Sequence, residues 1–253
     1  MHPVLFEAGT ITIYTYGFLI ALGCLAAFTY MWRTSRMSFD QANTLFILLI
    51  LAGIIGGKLF MIFEDPARYL KNPARLVSAS GFVFYGSLLL CIPTMLLFFR
   101  KNKLPVLSML DIMAIVTCIV HGFGRLGCFM AGCCYGLPTD SWLAVIFIDP
   151  VCQAQPLNTP LHPTQLYEAT FIFMLMTALL ILKSRKTFDG QVFLVYLVVY
   201  ACGRSVIEMF RGDIERGFVI KDILSNSQFI SLLIAAVAIF FYVKLNRKVK
   251  LIL

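Results

Sequence analysis

Charge is scarce in this chain. Lys, Arg, Asp and Glu together make up 13% of its 253 residues, about half the share found in a soluble globular domain. With 60% hydrophobic residues and a mean hydropathy of +0.86, that shortage excludes an ordinary water-soluble fold. No polar stretch is long enough to fold separately, and no repeat, low-complexity tract or linker divides the chain. The expectation is one polytopic membrane domain over residues 1–253. The opening MHPVLFEAGTITIY has no basic region before its apolar run, so it is not expected to be a cleavable signal peptide.

What the chain does have is apolar runs. A helix crossing the hydrocarbon core needs about 20 largely apolar residues. Seven segments meet or approach this: 12–32, 43–63, 82–99, 106–123, 163–182, 190–210 and 227–243. The third is short and contains Pro93, which a membrane helix tolerates. Basic residues follow the first, third, fifth and seventh runs: Arg33 and Arg36; Arg100, Lys101 and Lys103; Lys183, Arg185 and Lys186; Lys244, Arg247, Lys248 and Lys250. Their side carries only Asp40, Asp111 and Asp189, whereas acids outnumber bases on the other side, which includes Arg75, Asp213, Glu215, Arg216, Lys221 and Asp222. The bias predicts an all-α integral membrane protein with seven transmembrane helices, N-terminus outside and C-terminus cytoplasmic. The net charge of +8 is thereby read as an orientation signal and not as a nucleic-acid footprint.

Two runs end in charge on the outer side. His121–Gly136, HGFGRLGCFMAGCCYG, places Arg125 among five glycines and three cysteines. Such glycine density predicts a broken helix with backbone packed closely against a neighbour. In YACGRSVIEMFRGD, residues Tyr200, Arg204, Glu208 and Arg211 fall at i, i+4, i+8 and i+11, one stripe on a helix face. An ionisable group at membrane depth is a functional-site hypothesis. One acid does not neutralise two arginines, and Arg125 adds a third, so the cluster calls for an anion. A phosphate suits planar guanidinium forks. In LHPTQLYEA, Pro163 starts a helix with His162 as its cap. Gln165 and Glu168 then share a face, and an outer arginine is the economical partner for Glu168. Tyr14 and Tyr16 sit where interfacial anchors do. Tyr85, in GFVFYGSLL, suits an interfacial anchor and an interior hydrogen-bond donor equally well.

Cys24, Cys91, Cys118 and Cys202 lie within spans and read as small apolar fillers. For Cys128, Cys133, Cys134 and Cys152 on the outer side, disulfide or packing ranks first. A nucleophile beside Arg125 ranks second. A zinc site using His121 or His162 ranks last, because C-x4-C-C matches no standard ligand spacing. Neither a metal nor a cofactor is expected.

These segments, in order, resemble the bacterial prolipoprotein diacylglyceryl transferases over nearly the whole length. The resemblance is carried by TYGFLIALG, GGKLF, FVFYG, GRLGCFMAGCCYG, HPTQLYEA and GRSVIEMFRGD. It implies transfer of the diacylglyceryl group of phosphatidylglycerol to the lipobox cysteine thiol of a preprolipoprotein, with release of glycerol phosphate. The site would lie near the periplasmic face of the inner membrane. It implies Arg125 and Arg204 as the essential pair, with Tyr16, Tyr200, Glu208 and Arg211 supporting. Tyr85, His162 and Glu168 are candidate bases by position. Gly86, Gly124, Gly136 and Gln165 complete the expected substrate-binding set. The family commonly has histidine at Tyr85, asparagine at Cys128 and glutamate at Cys133. Tolerance of substitution and a divergent branch both fit these differences. Two rivals stay open: a same-fold enzyme with another acceptor, and a non-catalytic anion- or lipid-binding or transport protein. Against transport, no pair of broken helices recurs in equivalent halves.

Overall fold

The computed structural model describes residues 1–9, 11–72, 83–212, 218–220 and 224–250. Phe82 of FVFYG and the expected outer charges Arg75, Asp213, Glu215, Arg216, Lys221 and Asp222 lie outside the described residues. In chain order the elements are β1 (Val4–Ala8), β2 (Ile11–Tyr14), α1 (Thr15–Thr34), α2 (Phe39–Glu64), α3 (Pro66–Lys71), α4 (Phe84–Lys101), α5 (Val106–Ala131), β3 (Val145–Ile146), β4 (Pro160–Leu161), α6 (Thr164–Arg185), α7 (Gln191–Glu208), β5 (Phe218–Ile220), β6 (Leu224–Ser225) and α8 (Asn226–Lys250). Six of these helices are long and apolar enough to cross a membrane. The remaining long helix, α4, has 18 residues, with Pro93 inside and Arg100 and Lys101 in its last turn. Large apolar side chains such as Leu25, Ile54, Leu97 and Phe240 stand exposed, as lipid-facing residues do. The chain is a helical integral membrane protein.

Two expectations at the helix ends are corrected. Residues 12–14, placed in the first span, belong to β2, which pairs antiparallel with β1. Their β-branched alternation favours a strand. The glycine-rich segment does not break its helix, because α5 runs on through Ala131. Its glycines admit large neighbours instead. A Cβ on Gly122 would meet the Phe173 ring at 2.6 Å, and one on Gly127 would meet Tyr16 at 2.9 Å.

The chain divides into two compact units. In the unit Met31–Met109, α2 opens with a reciprocal cap: Gln41 N–H donates to Ser38 Oγ (3.2 Å) and Ser38 N–H to Gln41 Oε1 (3.1 Å). α2 and α4 approach closely at small residues. Ser87 Oγ donates to the Gly53 carbonyl at 2.8 Å, and Gly56 and Gly86 meet backbone to backbone. Lys58 lies within α2.

The other unit joins Met1–Tyr30 to Leu110–Leu253. Its core packs Ile115 and Cys118 of α5 against Ile172, Leu175 and Leu179 of α6 and Val192 of α7. At the end away from the glycine-rich segment, buried Asp111 of α5 ties down the start of α7. It accepts from the backbone N–H of Gly190 and Phe193, both at 3.0 Å, and from Lys186 Nζ at 2.9 Å. Burial opposes the Lys186 charge, but its bonds to Asp189 and Asp111 more than offset this, leaving its pKa above that of an ordinary lysine. The linkage sign follows: the stabilisation is complete below the ordinary lysine value and fades only as pH rises through the higher folded value.

Asp111→Ala should leave Lys186 with Asp189 alone and the Gly190 and Phe193 N–H groups without their acceptor, costing about 3 kcal/mol. Asp189, whose side chain is 53% exposed, should cost under about 1 kcal/mol when replaced by alanine. Thermal unfolding of both variants in detergent, beside wild type at neutral pH, checks the contrast.

Candidate active site

Glu168 sits one turn into α6, and its carboxylate is 2% exposed. A bare carboxylate there would be prohibitively costly, and four side chains from α5 and α7 meet it. Arg125 Nε of α5 lies 3.0 Å from Oε2, and Arg204 Nη1 of α7 lies 3.2 Å from the same oxygen. Oε1 accepts from Tyr200 Oη at 3.3 Å and has His121 Nε2 at 3.3 Å. His121 Nε2 is also 3.3 Å from Arg125 Nε; one tautomer donates to Glu168, the other accepts from Arg125. The arginine partner expected for Glu168 is therefore double.

Arg204 reaches further. Its Nη2 pairs with Glu208 Oε2 at 2.6 Å, and its Nε donates to Ser227 Oγ of α8 at 3.1 Å. Glu208 also faces Arg211, at 3.9 Å. α7 ends at Glu208, so Arg211 is not the continuation of a helical stripe that its spacing suggested. A backbone seam places it instead. Gly136 bridges Arg211, Leu137 N–H donates to the Phe210 carbonyl at 2.9 Å, and Gly212 N–H donates to the Tyr135 carbonyl at 3.2 Å. Among the described residues, the guanidiniums of Arg125, Arg204 and Arg211 gather around the carboxylates of Glu168 and Glu208.

The first turn of α6 also holds the loop after α5. Thr164 Oγ1 donates to the Cys134 carbonyl and Gln165 Nε2 to the Cys133 carbonyl, both at 2.7 Å. Gln165 is fully buried, and its Oε1 has no hydrogen bond among the described residues. Cys128, Cys133 and Cys134 gather with their sulfurs within 4.8 Å of one another, although C-x4-C-C matches no standard ligand spacing. All of the described cysteines are free thiols. The Cys134 thiol is held well below its ordinary pKa by hydrogen bonds from Cys128 and Cys133, with Arg125 and Arg211 adding to the effect. Cys133 is pushed up by its bonds to the other two thiols.

The remaining candidates divide. Tyr16, in the first turn of α1, packs over Gly127, two residues beyond Arg125. His162 Nδ1 pairs with Tyr167 Oη at 3.1 Å, and its ring meets Phe210 edge-on. Gly136 and Gly124 serve packing. A Cβ on Gly136 would meet the His162 and Phe210 carbonyls at 2.7 Å, and one on Gly124 would meet Ile20 Cδ1 at 3.3 Å. Tyr85 and Gly86 belong to the unit Met31–Met109; Tyr85 is half exposed and Gly86 packs on Gly56 and Phe60. Sequence reasoning gave His121 no place beside the arginines and missed Ser227. The i, i+4 spacing of His121 to Arg125 was the available signal for the first. Ser227 carried none.

Fold and site together define a polytopic membrane protein in which arginines and carboxylates from three helices meet in a buried cluster. A family model described as prolipoprotein diacylglyceryl transferase matches residues 3–244. A Clostridium tetani protein named phosphatidylglycerol–prolipoprotein diacylglyceryl transferase is 40% identical over 246 residues, covering 96% of this chain and 97% of that protein. A Clostridium perfringens protein of that name, numbered 2, is 35% identical, covering 96% and 94%. One from Dehalococcoides mccartyi is 30% identical, covering 99% and 96%. The chain belongs to the prolipoprotein diacylglyceryl transferase family.

Replacing Glu168 with glutamine removes the charge that Arg125 and Arg204 share. The loss should be about 3 kcal/mol of stability, read as a lowered thermal midpoint in detergent. Glu7→Gln, on the exposed hairpin, should leave the midpoint within experimental error.

Proposed function

We propose that this protein transfers the diacylglyceryl group of phosphatidylglycerol to the lipobox cysteine thiol of preprolipoproteins, releasing glycerol phosphate. The observation that carries the reading is the convergence of Arg125 and Arg204, from two helices, on one carboxylate with a third arginine nearby. Planar guanidinium forks suit the phosphodiester of the headgroup. As the carbon–oxygen bond to phosphate breaks, the departing glycerol phosphate gains a second charge. Guanidiniums already held in place by Glu168 and Glu208 stabilise that charge without reorganising. The buried Gln165 Oε1 offers an acceptor to a headgroup hydroxyl.

The topology proposed with it is seven spans, the six long apolar helices and α4, with the N-terminus periplasmic and the C-terminus cytoplasmic in the inner membrane. The basic residues after α1, α4, α6 and within the end of α8 support that orientation. Arg125, Arg204 and Arg211 then lie toward the periplasmic side. Tyr85 and Gly86 enter the reaction on resemblance alone.

Purified protein in nanodiscs containing phosphatidylglycerol should add a diacylglyceryl mass to a lipobox peptide, read by mass spectrometry. Arg204→Ala should reduce the rate by about 10²-fold or more. Arg204→Lys should recover little, since a point charge does not reproduce a fork that spans Glu168, Glu208 and Ser227. Lipid binding without any peptide adduct would favour the non-catalytic rival.

A further inference from the structure

The lipid-binding chemistry leaves the cysteine loop unused. Cys128, Cys133 and Cys134 hold their sulfurs within 4.8 Å of one another, each half-buried. Sulfurs of a tetrahedral thiolate site stand about 3.8 Å apart, given metal–sulfur bonds near 2.3 Å. Small side-chain adjustments would close the set. The backbone is committed to this arrangement: Gly132 (φ 74°) and Cys134 (φ 58°) both adopt the left-handed region, a costly conformation for a residue with a Cβ. Thr164 and Gln165 fix the carbonyls of Cys134 and Cys133 from the helix that carries Glu168.

We propose that Cys128, Cys133 and Cys134 bind a thiophilic divalent cation, zinc by preference, whose fourth position takes the acceptor thiol of the transfer reaction. The assignment rests on the transferase reading above. Three protein ligands in a half-open setting are the pattern of a catalytic zinc, whereas structural zinc sites are closed by four. Three thiolates and a divalent cation carry one negative charge, and Arg125 stands one turn before Cys128 on α5. Of the candidate bases, Glu168 is engaged by two arginines and Tyr200, and His162 by Tyr167.

Metal coordination deprotonates a thiol outright, so the incoming cysteine gives its proton to water on binding. Its sulfur lone pair then attacks the terminal glyceryl carbon, and the sulfur–carbon bond forms. The bond from that carbon to the phosphate oxygen breaks, its electron pair leaving with glycerol phosphate toward the arginines. Nothing is oxidised or reduced.

Full-length protein in nanodiscs, stripped with chelator under reducing conditions, is titrated with Co²⁺. A sulfur-to-cobalt charge-transfer band should saturate at one metal per chain and collapse on addition of Zn²⁺. The band should be lost in Cys133→Ser and in Cys134→Ser, and kept in Cys202→Ser, with circular dichroism unchanged throughout. A lipobox peptide should shift the visible cobalt bands, and the same peptide with serine for cysteine should not. No saturable band, a band that survives Cys133→Ser, or no peptide-dependent shift would overturn the assignment. Full-rate adduct formation by chelator-stripped protein would defeat the metal and leave the transferase standing. Metal binding without any adduct would defeat the transferase reading, and the role of the fourth position with it.

Discussion

One carboxylate organises one end of the bundle of α5, α6 and α7. Arg125 and Arg204 come from different helices, and each alone would be a heavy burden in an apolar setting. Glu168 accepts both on a single oxygen, so α5, α6 and α7 are drawn to one point. Much of what surrounds that point follows from it. Tyr200 and His121 satisfy the second carboxylate oxygen, while Glu208 and Ser227 complete the fork of Arg204.

Preorganisation connects this architecture to the proposed chemistry. Glu168 and Glu208 hold the guanidiniums of Arg125 and Arg204 in place. Such forks suit a phosphodiester, and they suit better the group that leaves with an extra charge. The same α6 turn that presents Glu168 grips the Cys133–Cys134 backbone, so the anion site and the thiols share one support.

Much of this was legible before any coordinates. The spacing of Tyr200, Arg204 and Glu208 placed them on one helix face, and each contributes to the cluster. Gln165 and Glu168 were readable as a pair because helical period alone puts them together. The long helices followed from apolar runs, though not their ends: residues 12–14 went to a strand and α5 runs on to Ala131. What escaped depended on contacts far apart in sequence. Arg211 is set by a backbone seam to Gly136 and not by helical period. The glycines around Arg125 looked like breaks, but they admit Phe173 and Tyr16 to an intact helix. The three sulfurs meet because of left-handed turns at Gly132 and Cys134, which no ligand-spacing rule describes. Ser227 enters from a distant helix and left no trace in local pattern.

The claim beneath all of this is that Arg125 and Arg204 serve one phosphate group together. A double-mutant cycle on the rate of diacylglyceryl transfer, with Arg125→Gln, Arg204→Gln and both, measures that directly. If the two guanidiniums act as a unit, the double variant should be scarcely slower than the worse single variant. Losses that multiply fully would mean the arginines act on separate events, and the shared headgroup site would be wrong.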